Sequence, residues 1–296
     1  MSKRRKFHLR LPSRTLILGE RTLVMGVLNV TPDSFSDGGK FLDPQQAIEH
    51  ALAMERDGAD LLDLGGESTR PGSAGTPLET ELARILPVLQ GLRGALKIPI
   101  SIDTRKADVA EAAIAAGAEI INDVSGLKSD PRIAEVAARH GVPLILMHMR
   151  GEPRTMQKAP FARDVMKDVS SGLRASIARA RRAGVRTSQI VIDPGIGFGK
   201  SFEQNYELLR KLPQLAKLGY PLLVGTSRKG FLGATLAKDG KPAPPEERIW
   251  ATAATVAASI LGGAHIVRIH DVAEIVQVAR VSDFVMGTQG DVRMRR

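Results

Sequence analysis

IPISIDTRKADVAEAAIAAGAEIINDV, residues 98–124, reads as a strand, a helix and the next strand in succession. IPISID at 98–103 and AEIINDV at 118–124 are apolar along nearly their whole length. Strands of that kind belong in a parallel sheet covered on both faces. The stretch between them, 106–116, carries apolar residues at helical spacing. Each strand also ends in polar residues: Asp103, Thr104 and Arg105 after the first, Asn122 and Asp123 after the second.

The same unit recurs in both directions. TLVMGVLNV (22–30) precedes a helix from Pro44 to about Gly58, and ADLLDLG (59–65) precedes one over 76–93. A helix near 131–140 follows AEIINDV. PLILMHM (143–149) leads to a long helical segment over 160–183, and SQIVIDPG (188–195) to a helix over 202–211. YPLLVGTS (220–227) leads to a helix over about 247–261, and AHIVRIH (264–270) to one over 271–280. Eight strand–helix pairs in 296 residues predict a closed (β/α)8 barrel in a single α/β domain. A doubly wound sheet is the alternative, but the glycine fingerprint G-x-G-x-x-G after the first strand is missing. The expected boundaries are a basic segment at 1–21 (an edge hairpin or a partly flexible piece), the barrel at 22–282 and a tail at 283–296. KDGKPAPPEE at 238–247 reads as an insert that caps the following helix.

The net charge of +10 points first toward nucleic acid. Its placement weakens that reading. Residues 1–21 hold seven Lys or Arg against Glu20, a net +6, and 291–296 add a net +2, leaving the barrel nearly balanced at +2. The expectation is solvated basic tails and no nucleic-acid partner. Cysteine is absent, which excludes a disulfide scaffold, a thiolate nucleophile and Cys-ligated metal centres. No run of about 20 apolar residues exists to span a membrane. MSKRRKF lacks the apolar stretch of a signal peptide. A cytoplasmic enzyme fits these features.

Chemistry in such a barrel collects at the C-terminal ends of the strands. A single Asp ending a strand is often a helix cap. Eight polar strand ends in register indicate one shared ligand pocket. Arg70, Lys229, Arg268 and His270 form a cationic lobe suited to phosphate or diphosphate. Asp63, Asp103, Asn122 and Asp193 form an acceptor lobe suited to a ring rich in N–H donors. Asn29 and the TPD that follows could share a Mg²⁺ with an anionic leaving group.

With these residues placed, the sequence resembles the dihydropteroate synthase family of the folate pathway. The resemblance rests on MGVLNVTPDSFSDGG (25–39), DLGGESTRPG (63–72), SIDTRK (101–106), INDVSG (121–126) and DPGIGFGK (193–200). LMHMRG (146–151), GTSRKGFLG (225–233) and VRIHDV (267–272) extend it. It implies condensation of 6-hydroxymethyl-7,8-dihydropterin diphosphate with 4-aminobenzoate, giving 7,8-dihydropteroate and diphosphate. It also implies roles. Asp103, Asn122, Asp193 and Lys229 hold the pterin, with Met149 and Phe198 lining its pocket. Arg70, Arg268, His270 and Asn29 hold the diphosphate. Thr69, Pro71, Phe35, Ser227 and Lys229 surround aminobenzoate. Asn29 and Asp33 coordinate Mg²⁺. The catalytic group is Asp103, Arg70, Arg268, His270 and Lys229. The family is usually a homodimer through helices late in the barrel.

No Ser–His–Asp or Cys–His nucleophile is needed. Departure of diphosphate leaves a cation that the electron-rich ring stabilises, which predicts an SN1-like path. A pterin-dependent methyltransferase relative and a non-catalytic pterin-binding homologue are the alternatives; neither has much use for the cationic group and the TPDSFSDGG loop. Met149 and Phe198 have a second reading as ordinary core, and His270 as a cap of the last helix. His148 and Asp123 read as structural. Arg105 either pairs with an acid on the rim or meets the diphosphate. The one departure from the family pattern is RIWATAA at 248–254, where Trp250 and Ala251 stand on a helix away from the chemistry.

Overall fold

A computed structural model describes residues 4–31, 43–68, 73, 75–151, 156 and 162–288. Two strands come first, β1 (Phe7–Arg10) and β2 (Thr15–Leu18), paired antiparallel as a hairpin. The repeating unit then follows: β3 (Leu23–Asn29), α1 (Pro44–Arg56), β4 (Leu61–Gly65), α2 (Leu78–Leu92), β5 (Ile100–Asp103), α3 (Ala107–Ala115), β6 (Ile120–Asp123), α4 (Arg132–His140), β7 (Leu144–Met147) and α5 (Val165–Arg182). It continues through β8 (Ile190–Asp193), α6 (Phe202–Arg210), α7 (Leu212–Ala216), β9 (Leu223–Val224), α8 (Gly230–Thr235), α9 (Ile249–Leu261), β10 (Ile266–Ile269) and α10 (Val272–Val285). The sheet order is β8-β7-β6-β5-β4-β3-β10-β9, all parallel. A bridge between Ile192 and Leu222 joins the two ends. The fold is a single-domain (β/α)8 barrel.

Strand periodicity sorts the core into two parts. Val24, Leu28, Leu62, Leu64, Ile102, Ile121, Leu144, Leu146, Ile192 and Val267 face outward into the layer shared with the helices. Their neighbours Met25, Leu61, Ile120, Ile145, Val191, Leu223 and Ile266 fill the barrel interior toward the N-terminal ends of the strands. Leu9, Leu11 and Leu18 of the hairpin join that inner cluster and close the floor. The helices meet the strands closely: a Cβ built on Gly26 would lie 2.8 Å from Met54 Sδ of α1 and 3.3 Å from Val272 of α10.

Sequence expectations for the element boundaries hold with five differences, the first being that α5 begins at Val165 rather than at 160. The basic N-terminal segment folds as the expected hairpin with Arg5, Lys6, Arg10, Arg14 and Arg21 exposed, but Arg4 does not share their solvation. Arg4 is buried, donating to Thr22 Oγ1 at 2.7 Å and the Ala264 carbonyl at 2.6 Å and pairing with Asp283. Two short helices, α7 and α8, flank β9, where sequence periodicity was too brief to show them. The last helix runs on to Val285. The 238–247 insert makes a tight turn, Lys238 to Lys241, and then a 3-10 turn over Pro245–Arg248, but it supplies no side-chain cap to α9. Arg248 instead donates to the carbonyls of Ala243 and Arg228 at 2.8 and 2.7 Å.

Candidate active site

Strand register brings the polar ends together. Asn29, Gly65, Asp103 and Asn122 lie side by side across β3 to β6, and Met147 lies beside Asp193 across β7 and β8. A cavity of about 910 Å³ opens at this end, lined in part by Asn29, Asp103, Phe198, Ser227, Lys229, Arg268 and His270. Asn122, Asp193 and Met149 are buried at the same strand ends without lining that cavity. Arg70, Thr69, Pro71, Phe35 and Asp33 lie outside the described residues.

Arg268 holds the centre. Its Nε donates to Asp63 Oδ2 at 2.6 Å and its Nη2 to Asp103 Oδ2 at 2.8 Å. Asn122 Nδ2 donates to the same Asp63 oxygen at 2.9 Å. The other oxygens of both carboxylates, Asp63 Oδ1 and Asp103 Oδ1, are buried with no partner. Burial pushes the Asp103 carboxyl up to about 7; Arg268 opposes the shift, while Asp63, Glu81 and Glu67 add to it. Burial likewise pulls the Arg268 guanidinium down, but Asp63 and Asp103 outweigh it and hold it above its ordinary value.

The other wall is built by DPGIGFGK. Gly195, Gly197 and Gly199 all have positive φ, 65°, 86° and 67°. At Gly195 and Gly199 a Cβ would also run into the backbone of His148 and Arg150. Asp193 Oδ1 accepts from Gly195 N at 2.7 Å. Burial raises Asp193 to about 6, against the pull of the Gly195 bond and Lys229. Lys229 Nζ sits 4.0 Å from the Phe198 ring centroid, a cation–π contact. Burial and the Arg268 charge bring Lys229 down to about 8. Phe198, Met147, Met149, Met156 and Val124 form a separate apolar cluster beside it, so Phe198 is both core and pocket wall, while Met149 is core.

Sequence reasoning missed Lys200. A lysine closing a glycine-rich loop suggests phosphate contact, yet Lys200 is buried and its Nζ donates to the carbonyls of His148, Gly195 and Phe198 at 3.0, 2.8 and 3.0 Å. One of these bonds ties the loop to the residue after β7, and the other two close the loop on itself. The readable signal was the tight glycine-rich turn itself, whose inward-facing carbonyls need a donor. His148 is structural, packed against Gly172 and brought down to about 2 by burial and by Lys200, Lys128 and Arg150. Asp123 accepts from Ser125 N at 2.8 Å and Leu127 N at 2.6 Å and shapes the β6 turn. His270 turns to Ser227, with Nδ1 2.9 Å from Ser227 Oγ, rather than capping α10. Arg105 pairs with Glu67 at 2.5 Å, alongside Lys106 at 2.9 Å, so the rim reading is the one observed.

A family profile described as pterin binding enzyme matches residues 25–270. The dihydropteroate synthase of Synechocystis sp. is 50% identical over 265 residues, covering 90% of this chain and 90% of that protein. The chain belongs to the dihydropteroate synthase family. The Bacillus subtilis dihydropteroate synthase is 46% identical over 271 residues, 92% of this chain and 91% of its own length. A structure of the Yersinia pestis dihydropteroate synthase with a sulfonamide drug superposes with a TM-score of 0.89 at 41% identity, covering 95% of this chain and 100% of that one. A Xanthomonas albilineans dihydropteroate synthase in complex with 7,8-dihydropteroate gives 0.84 at 40% identity, covering 94% and 98%. Among the described residues no helix is long and apolar enough to cross a membrane.

Proposed function

We propose that the cavity joins 6-hydroxymethyl-7,8-dihydropterin diphosphate to 4-aminobenzoate, releasing 7,8-dihydropteroate and diphosphate. The observation that carries this is the meeting, in one cavity, of a buried carboxylate with an unpartnered oxygen, Asp103, and the cations Arg268 and Lys229. The carboxylate suits the N–H donors of the ring; the cations suit the diphosphate. The relatives carry the synthase name, which leaves the methyltransferase and non-catalytic alternatives without support.

Asp103, Asn122, Asp193 and Lys229 hold the pterin, with Met149 and Phe198 packed against it. Arg268, His270, Asn29 and Arg70 meet the diphosphate; Ser227 and Lys229, with Thr69, Pro71 and Phe35, meet aminobenzoate. The C–O bond to diphosphate breaks first, and charge grows on the leaving group where Arg268 and His270 stand ready. Asp103 offsets the positive charge left on the ring; the aminobenzoate nitrogen then attacks the methylene, forming the C–N bond, and gives up one of its protons to the released diphosphate. Such pre-placed charges act strongly in a site that excludes water. Asn29 fits a Mg²⁺ site: its amide oxygen is a hard donor at the cavity, 3.5 Å from where a side chain on Gly65 would begin. Asn29, with Asp33, would hold the ion, which supplies Lewis-acid neutralisation of the diphosphate charge.

Incubating the protein with the pterin diphosphate, aminobenzoate and Mg²⁺ tests the assignment. Stoichiometric dihydropteroate and diphosphate are expected; pterin binding without product would sink it. A homodimer forms through α9 and α10, where exposed apolar residues concentrate, with Trp250 82%, Val281 64% and Val285 63% exposed. Sedimentation should show a dimer that Trp250→Glu dissociates.

A further inference from the structure

Asp63 is fully buried and takes no part in lining the cavity. It was read from the sequence as one more acceptor for the ligand. Its bonds say otherwise. One oxygen, Oδ2, accepts from Arg268 Nε at 2.6 Å and from Asn122 Nδ2 at 2.9 Å. β4, which carries Asp63, is two strands from β10 on one side and two strands from β6 on the other. Both bonds therefore cross the barrel interior, and neither is a turn or cap bond local to one loop. The Arg268 bond has the short length of a charge-assisted contact.

The two bonds constrain direction. With Nε on Asp63 and Nη2 on Asp103, the guanidinium plane is fixed at two nitrogens. The Asn122 amide is fixed through its NH₂ group, which sets where its own oxygen points. A buried ion pair of this kind gives little net stability compared with an apolar replacement. Its worth lies in orientation.

We propose that Asp63 is a positioning residue that aims Arg268 and Asn122 at the substrate without touching the substrate itself. The inference rests on the proposed function, which gives those two side chains their ligands. Misplacing a group near the reacting atoms costs about 100-fold.

Two double-mutant cycles test it, pairing Asp63→Asn with Arg268→Ala and with Asn122→Ala, each assayed for dihydropteroate formation. Asp63→Asn alone should lower kcat/KM for the pterin diphosphate about 100-fold, and by clearly less when either Arg268 or Asn122 is already alanine. An undiminished loss in both the Arg268→Ala and the Asn122→Ala backgrounds would mean that Asp63 meets the substrate directly, and would overturn the proposal; so would a single variant with wild-type kinetics. A second measurement does not depend on turnover or on the folding of Asp63→Asn. In the wild-type chain the Arg268 Nε–H, assigned by its loss in Arg268→Lys, should give a slowly exchanging ¹⁵N–¹H signal. Rapid exchange there would overturn the geometry. A wild-type chain that makes no dihydropteroate removes the proposed function and leaves this exchange measurement to decide the geometry.

Discussion

Two buried arginine–carboxylate clusters stand at opposite ends of the barrel. At the floor, Asp283 pairs with Arg4 and accepts from Thr22 N at 2.6 Å and Thr22 Oγ1 at 2.8 Å. Both of its oxygens are engaged. At the mouth, Arg268 serves Asp63 and Asp103, and each of those carboxylates keeps one buried oxygen without a partner. At the floor the atom without a partner is a donor, Arg4 Nε; at the mouth the atoms without partners are acceptors. An unsatisfied buried acceptor costs about 1–3 kcal/mol; Asp103, which lines the cavity, can recover that cost from a ligand's N–H donor, whereas Asp63 does not line it. Conserving fold at the bottom of such barrels and chemistry at the top is the general division of labour.

The comparison breaks most sharply at Asp103. Asp103→Asn should lower kcat about 10²–10³-fold, while the thermal midpoint at pH 8 stays level or rises. The sign follows from the raised carboxyl. A group at about 7 in the folded chain and 3.8 unfolded binds its proton more tightly when folded, so its contribution falls as pH climbs from about 4 through 7. Asparagine removes that loss. A large fall in the midpoint would place Asp103 with the floor cluster instead.

Arg4→Met should do the reverse. Leaving Asp283 without its cation should cost about 3–5 kcal/mol in urea unfolding, with kcat/KM of the folded enzyme unchanged. Reduced kcat/KM in a fully folded variant would show that the two ends are coupled.

The pH profile sharpens the contrast further. Asp103, at about 7, must be ionised to accept from the ring, and Lys229, at about 8, must stay protonated. Steady-state kcat/KM for the pterin diphosphate should peak between pH 7 and 8 and drop about tenfold by pH 6. A flat profile from pH 6 to 9 would remove both groups from the chemistry. The smallest effect expected is that of Ser227→Ala. It removes the 2.9 Å bond to His270 and should lower turnover about 3- to 10-fold with the midpoint unchanged.

Much of this was legible in the sequence because barrel strands alternate strictly. Runs such as IPISID (98–103) with a polar last residue announce both the outer core and the mouth, and Asn29, Asp103, Asn122, Asp193 and Arg268 could be placed at strand ends from that alone. What stayed hidden depends on reach across space. Asp63 looks like Asp103 in sequence, yet sits one pleat deeper, beside Ser101 rather than Gly65 and Asn29. Lys200 carries the sequence of a phosphate loop, but the carbonyls of His148, Gly195 and Phe198 turn its ammonium inward. Arg4 seemed one basic residue among many because its partner Asp283 lies 279 positions away.

The seam of the barrel has a consequence for its motions. β8 and β9 meet through a single bridge, Ile192 to Leu222, with Ile192 N bonded to the Pro221 carbonyl at 3.0 Å, whereas β3 and β4 share five paired positions. The hoop thus has a clasp, and amide exchange should be fastest there. Asp193 stands on one lip of the clasp; Ser227 and Lys229 follow the other. A pterin gripped by both lips acts as a rivet, so substrate binding should slow exchange at Ile192 and stiffen the ring as a whole.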